Sequence, residues 1–354
     1  MTGPATGPAA GPLHGLPDGW TSRPTEPGDL AALVALRGAD KEPWTGSASV
    51  DREAVESEIV GTASWTRRQA VALDPAGVLR GWVVVHDRAA GRTMLHVYVD
   101  RTTEGGRDVQ DPVAASLYAF VEEQAAEICR LREVDETRLD ASPFAADVVQ
   151  REWLAAAGYA NRRTWLQMTR PVSPDEATSL PGPREGVTIR RVETHDNDLP
   201  VAADLHVVHE MLEKSFEDHF NSYRESFPEF VARLREDPGH RWDHWWLAFV
   251  DVNGVQQPAG ALVGTVLQEN SAGHEGSYVE YIGVHRNARG RGVAKALLHT
   301  VIADAAQRGR DRVGLEVDDS SPTGANGLYD SMGWKTEYVT ESWFKRLVVD
   351  DAAG

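Results

Sequence analysis

The stretch YIGVHRNARGRGVAKALLHTVIADAAQRG, residues 281–309, constrains the fold more than any other part of the chain. A β-branched strand ends at Val284, a short loop rich in Arg and Gly follows, and an amphipathic helix starts at Val293. A strand that feeds a helix this directly needs a sheet for the helix to pack on, so the segment predicts a layered α/β arrangement. The same order gathers backbone N–H groups and a helix N-terminus about one point, which is a ready anion site. Gly290 and Gly292 let the backbone approach a phosphate, and Arg289 and Arg291 add charge. Taken alone, the loop also reads as a tight strand-to-helix connection. It is no Walker loop, because no Gly-Lys-Ser/Thr follows, and it lacks the three-glycine spacing of a dinucleotide turn.

At 354 residues the chain has room for two domains of about 150 residues each. PVSPDEATSLPGPRE, residues 171–185, carries four prolines and no apolar periodicity, which is how a linker is written. The expected organisation is a disordered Gly/Pro/Ala-rich tail at 1–19, a first domain at 20–171, a linker at 172–185 and a second domain at 186–349. A weak internal repeat supports it. EWLAAAGYANRRTWLQMTR in the first half and GLYDSMGWKTEYVTESWFKRL in the second both read as a short helix, a Gly, an aromatic and an apolar strand.

The second half has the clearer order: strand VTIRRV, helices over 199–216 and 223–234, and strands WWLAFV and GALVGTVLQ, the latter entered through Gln256, Gln257 and Pro258. Strand SYVEYIGV, the loop and its helix, strand RVGLEV, a short helix ending at Met332 and final strands through Trp343 complete it. The expected class is α/β (α+β): two tandem domains, each a mixed, mostly antiparallel sheet flanked by helices.

Arg289-Gly290-Arg291-Gly292-Val293-Ala294 resembles the Q/R-x-x-G-x-G/A signature of the GNAT superfamily of N-acetyltransferases, and SSPTGANGLYDSMGW resembles that family's N-P-T-G-A-x-x-L-Y-E-x-x-G-F block. The resemblance covers residues 187–347. It implies that the loop, with Lys295, cradles the pyrophosphate of acetyl-CoA, and that the backbone of Ile282, Gly283 and Val284 pairs with the pantetheine arm and polarises the thioester carbonyl. It also implies that Tyr329 is the general acid for the departing thiolate, although a Tyr here also packs well as a plain core aromatic. Ser321 stands where the family has an Asn that contacts the cofactor, and a hydroxyl replaces only some of an amide's hydrogen bonds. Trp334 replaces the family's Phe.

Acetyl transfer to a primary amine requires the amine to lose a proton, which at pH 7 costs roughly 4 to 5 kcal/mol for a pKa of about 10.4. Glu280 is the candidate base, because strand alternation would place it on the face of Ile282 and Val284. Glu275, Glu316, Asp218 and His219 are rivals. Asp218 and His219 also lie in FEDHF, between the first two helices, where family members hold the acceptor; they read equally as a capped helix end.

In the first half, LHVYVDRTTEGGRDVQDP holds the place of strand, loop and helix, with Asp100, Glu104 and Asp108 around the turn. Acidic groups there would repel a pyrophosphate, and Trp153-Leu154 falls where Leu-Tyr is expected. The first half therefore reads as a degenerate copy. This tandem arrangement resembles the mycothiol synthase group and implies a small amine acceptor such as an amino sugar conjugate. Acetylation of an antibiotic amine and non-catalytic acyl-CoA sensing remain open alternatives.

A formal charge of −18 disfavours nucleic acid and suits a cationic small molecule, although an acidic surface also serves solubility alone. Cys129 is the only cysteine, so neither a disulfide within the chain nor a Cys-rich metal site is expected. No stretch reaches the roughly 18 apolar residues of a membrane span, and nothing at the start resembles a secretory signal. The expectation is a cytoplasmic enzyme, monomer or homodimer, with acetyl-CoA as cosubstrate and no metal.

Overall fold

The computed structural model describes residues 11–88, 92–216, 225–236, 238, 240–270, 272–321 and 324–349. It divides into a first unit of Met1–Trp165, Arg235–Pro238 and Tyr338–Gly354, and a second of Leu166–Leu234 and Gly239–Glu337.

In chain order the first half forms β1 (Thr21–Arg23), α1 (Leu30–Thr45), α2 (Arg52–Val60), β2 (Arg67–Leu73), β3 (Leu79–Asp87), β4 (Arg92–Val99), α3 (Arg107–Leu131), β5 (Glu136–Ala141), α4 (Val148–Ala156) and β6 (Ala160–Pro171). The second half forms α5 (Glu176–Ser179), β7 (Val187–Arg191), α6 (Ala202–Phe216), α7 (Phe227–Leu234), β8 (His240–Val252), β9 (Val255–Leu267), β10 (Gly276–Val284), α8 (Val293–Gln307), β11 (Arg312–Asp318), α9 (Ala325–Ser331) and β12 (Lys335–Val348). Among the described residues, no helix is long and apolar enough to cross a membrane.

The internal repeat is a repeat of topology. In the first unit the strands run β1-β2-β3-β4-β5-β12; in the second they run β7-β8-β9-β10-β11-β6. Each sheet starts with four antiparallel strands, then takes one parallel strand reached through a long helix: β5 through α3, and β11 through α8. The class is therefore the expected mixed, mostly antiparallel α/β arrangement. The strand that closes each sheet comes from the other half of the chain, so the units cut across the expected bounds of 20–171 and 186–349. Tyr338 onward belongs with β5 in the first unit, and Leu166–Pro171 lies beside β11 in the second.

Each sheet buries both faces. In the first unit α3 covers Val83, Val85, Leu95 and Val97, while α1 and α2 cover Val71, Trp82, Val84 and Tyr98. In the second, α8 covers Ala248, Leu262, Val279 and Leu315, while α6 and α7 cover Trp245, Leu247, Ala261 and Val263. The alternation of each strand supplies both sets. The short helices α4 and α9 stop in the same way, at glycines with φ of 84° and 90°, Gly158 and Gly333, a conformation that a side chain would strain.

Two expectations change in detail. Val252-Asn253-Gly254-Val255 is a two-residue hairpin turn, with φ of 56° and 82° at its centre, so β9 begins at Val255 and already contains Pro258. Pro258 is tolerated because the ladder shifts register between Ala248 and Phe249, and β10 reaches only as far as Gly260. The stretch expected as a linker docks along α8: His299 Nδ1 donates to the Pro181 carbonyl at 3.0 Å, and Gln307 Nε2 to that of Ala177 at 3.3 Å. Its prolines prevent strand pairing, but Leu180 still packs on the α8 side.

Candidate active site

The site of the second unit is built where β10 leaves β11. Their parallel ladder ends at Val279↔Leu315, whereas the ladder of β10 with β9 continues to Val284↔Gly260. Residues 280–284 therefore line a wedge, and their backbone groups on that side are not taken up by β11. A bulge between Val279 and Tyr281 marks the parting, and bulges bend a strand out of its ladder.

At the open end of β10, His285 caps a short turn by accepting from Asn287 N at 3.3 Å, and the chain then passes through Gly290 (φ 79°) and Gly292 (φ 84°) into α8. No side chain among the described residues caps this helix. Among the described residues none accepts from the N–H groups of Gly290, Gly292, Val293, Ala294 or Lys295; the first N–H used within the helix is that of Ala296, given to Gly292 O at 3.0 Å. Open N–H groups and the positive end of a helix dipole meet at one point. Arg291 is partly committed, donating to the Asp251 carbonyl at 3.3 Å.

A basic residue missed in the sequence joins them. A Cβ at Gly292 would lie 3.0 Å from Arg184 Cδ and 3.1 Å from its Nε, so Arg184 lies directly over the loop. It sits in the proline-rich stretch, far from the motif in sequence, and only docking on α8 brings it near. Gly283 is required for a similar reason, since α6 passes so close that a Cβ there would meet Ser215 Oγ at 2.7 Å.

Tyr329, on α9, belongs to the same buried apolar cluster as Val293 and Val317, which Ile282 and Val284 pack against, and stands edge-on to Trp334 with ring centroids 5.9 Å apart. Burial pushes its phenol up to about 12. Its hydroxyl has no hydrogen-bond partner among the described residues, so it is protonated and uncommitted. Ser321 closes the loop after β11, its N–H donating to the Asp318 carbonyl at 3.0 Å.

Residues 206–334 match the Acetyltransferase (GNAT) family. This part of the chain is similar to a GNAT domain. Over 202 residues the chain is 30% identical to the mycothiol acetyltransferase of Thermobispora bispora, a match that covers 54% of this chain and 60% of that relative. Among solved structures, a GCN5-related N-acetyltransferase from Sphaerobacter thermophilus superposes with a TM-score of 0.70 at 22% identity, over 94% of this chain and 97% of that one. A tandem GNAT protein from the clavulanic acid biosynthesis pathway gives 0.66 at 13% identity, over 94% and 100%. The two-unit fold is thus that of tandem GNAT proteins.

Within the second unit Glu280 is not on the face expected for it. The bulge breaks the alternation of β10, so Glu280 and Tyr281 both turn toward α6 and α7, while Ile282 and Val284 pack on the α8 side. Glu280 Oε1 lies 3.8 Å from Arg233 Nη1. Arg233 is itself held by two 2.9 Å hydrogen bonds to Glu225 and lies over the Tyr281 ring at 5.3 Å. Of the rivals, Glu275 is half-exposed and pairs with Arg310 at 3.6 Å, before the start of β10. Glu316 is exposed on β11 and accepts from Gln167 Nε2 at 2.9 Å. Asp218 and His219 lie outside the described residues.

Proposed function

We propose that the protein is an acetyl-CoA-dependent N-acetyltransferase that acts on a primary amine of a small molecule, with the second unit as its catalytic domain. The observation that carries this reading is the set of N–H groups of Gly290 and of Gly292 to Lys295, which have no acceptor among the described residues, beside the stretch of β10 that β11 leaves after Val279, with a protonated Tyr329 in the same cluster. A pyrophosphate fits the loop, because its oxygens would satisfy the open donors and Gly292 admits close approach. Arg289, Arg291 and Arg184 add charge, Lys295 stands in the first turn of α8, and Ser321 takes the place of the family's Asn. Ile282, Gly283 and Val284 present the strand edge that an extended arm can join.

Acetyl-CoA brings an activated acetyl thioester, and the chain's own groups handle the protons. Glu280, on the acceptor side of β10 beside Arg233, takes the proton of the attacking amine directly or through water. A β10 N–H donates to the carbonyl oxygen as charge develops on it. Tyr329 returns a proton to the leaving sulfur. For an acceptor, the name of the Thermobispora relative makes a mycothiol-type amine the first to test, such as an amino sugar conjugate.

The first unit lacks the same equipment, and we infer that it does not turn over acetyl-CoA. Its loop before α3 is closed on itself: Asp100 accepts from Thr102 N at 2.8 Å and from Arg80 at 2.6 Å, and Gly106 N donates to Thr103 O at 3.2 Å. Gln150 Nε2 donates to the Val97 carbonyl at 3.2 Å, using a backbone group of β4 in the position where β10 is open.

Acetyl-CoA turnover followed by thiol release across an amine library, including aminoglycosides, tests the reading. Release with a defined set of amines is expected. Binding of acetyl-CoA with no release toward any amine is the outcome that belongs to a sensor and overturns the catalytic reading.

A further inference from the structure

The first unit carries the same parting of strands without the loop. The ladder of β4 with β5 covers only Arg92↔Arg138 to Met94↔Asp140, whereas its ladder with β3 runs on to Val99↔Gly81. The wedge opens on a cavity of about 220 Å³, lined on one side by α1 and on the other by β4 and the chain that follows β5. At about 30 Å³ per water this is space for roughly seven waters, enough for a small organic molecule.

Most polar groups of the lining are committed elsewhere. Arg37 pairs with Glu58 at 3.2 Å, Lys41 donates to the Ser49 carbonyl at 2.7 Å, Asp147 pairs with Arg101 at 3.0 Å, and Gln150 bonds Val97 and Tyr118. Asp40 and His96 differ: among the described residues neither has a hydrogen-bond partner, and both line the cavity. Burial raises the Asp40 carboxyl to about 6, so it is mostly ionised at neutral pH. Burial, helped by Arg37, lowers His96 to about 3, which keeps its ring neutral with one nitrogen free to accept. Two acceptors, one of them charged, thus face a space walled elsewhere by Leu95, Val97 and Phe144.

Arg101 and Arg37 offset the Asp40 charge only in part, since its carboxyl still stands above the ordinary value, and a desolvated carboxylate without a hydrogen-bond donor costs free energy that a cation with N–H groups recovers. A metal ion is the poorer fit, because no group of three or more His, Cys, Asp or Glu converges anywhere among the described residues. A neutral hydroxyl would leave the charge unmatched. An ammonium head has three donors and a positive charge, and its carbon body suits the apolar walls.

We propose that the first unit binds a small molecule bearing a protonated amine, with Asp40 and His96 accepting its N–H groups. The site depends on the first unit alone and stands whether or not the second unit transfers acetyl groups.

The test follows the His96 imidazole proton by NMR in the full chain near neutral pH, assigned by its loss in His96→Gln. Benzylamine is the probe and benzyl alcohol its uncharged counterpart. The amine should shift the signal saturably, and the alcohol should bind at least about tenfold more weakly, as expected for losing a charge-assisted hydrogen bond. Asp40→Asn should weaken the amine by a similar factor, and Tyr329→Phe should leave the His96 shift unchanged. A His96 signal unmoved by benzylamine, equal binding of amine and alcohol, or full affinity in a folded Asp40→Asn chain would overturn the proposal. The comparison of amine with alcohol on the unmodified chain decides the matter even if the Asp40 variant does not fold.

Discussion

Tyr329 and Leu154 hold the same place in the two units. Each carbonyl accepts the N–H of the aromatic residue that follows the helix-closing glycine, Trp334 to Tyr329 at 3.1 Å and Tyr159 to Leu154 at 2.9 Å. The repeat therefore preserves the backbone turn and changes the side chain, a phenol in one unit and an isobutyl group in the other. A hydroxyl that only supported packing would not distinguish them.

Tyr329→Phe is expected to lower kcat about a hundredfold, the lower end of what a positioned acid contributes, with little change in the KM for acetyl-CoA. The ring stays edge-on to Trp334, so the melting temperature should hold. Because burial places the phenol near 12, no alkaline loss of rate from this residue should appear below about pH 10. Steady-state kinetics across pH, with a folded Phe variant retaining full kcat, would remove Tyr329 from the mechanism.

Gly292→Glu should abolish acetyl-CoA binding in calorimetry. The position has φ 84°, which costs an L-residue roughly 1 to 2 kcal/mol, and its side chain would meet Arg184 at 3.0 Å while bringing negative charge to the loop. Gly292→Ala separates the effects: strain and crowding without the charge, and so a smaller loss. Full affinity in the Glu variant would sink the loop assignment.

Glu280→Gln should reduce kcat/KM for the amine by about a hundredfold, with little change in the KM for acetyl-CoA. Arg233→Met tests the other use of the pair. If Glu280 serves only to hold Arg233, which lies 3.8 Å away, both variants will lower stability alike and change kcat/KM for the amine by the same factor.

Asp204 provides a pH signature of the fold. Arg190 donates to it at 2.5 and 2.7 Å and Glu193 N at 2.8 Å, and the Arg190 hydrogen bond is the leading influence holding its carboxyl below the usual value of 3.8. A carboxyl with a depressed pKa stabilises the native state fully above its unfolded value and loses that contribution as pH falls through the folded one. The difference in melting temperature between the native chain and Asp204→Asn should therefore be widest near neutrality and narrow below about pH 4. A gap independent of pH would mean that packing, not charge, is what the substitution removes.

The loop from Arg289 to Lys295 was legible in the sequence because strand, glycines and helix are contiguous, and hydrophobic period fixes each of them locally. The order of the second half followed from the same signal. What escaped depends on partners distant in the chain. An apolar strand such as β12 announces a buried face but not the sheet it joins, so the origin of the closing strands could not be read. The bulge at Glu280 replaces no residue type and leaves no mark in the composition, yet it turns one side chain across the sheet. Arg184 and the cavity at Asp40 and His96 exist only because separate segments converge.

The closing strands also set a schedule for synthesis. A nascent chain that has just completed β5 presents it as a bare edge, since its neighbour on that side starts at Tyr338 and forms the pairs from Trp343 to Val348. Exposed edges invite pairing with other chains, and the ribosome extends by only about 5 to 20 residues each second. The first unit to be translated is consequently the last whose sheet can be finished, and it waits unsealed while the whole second half is made.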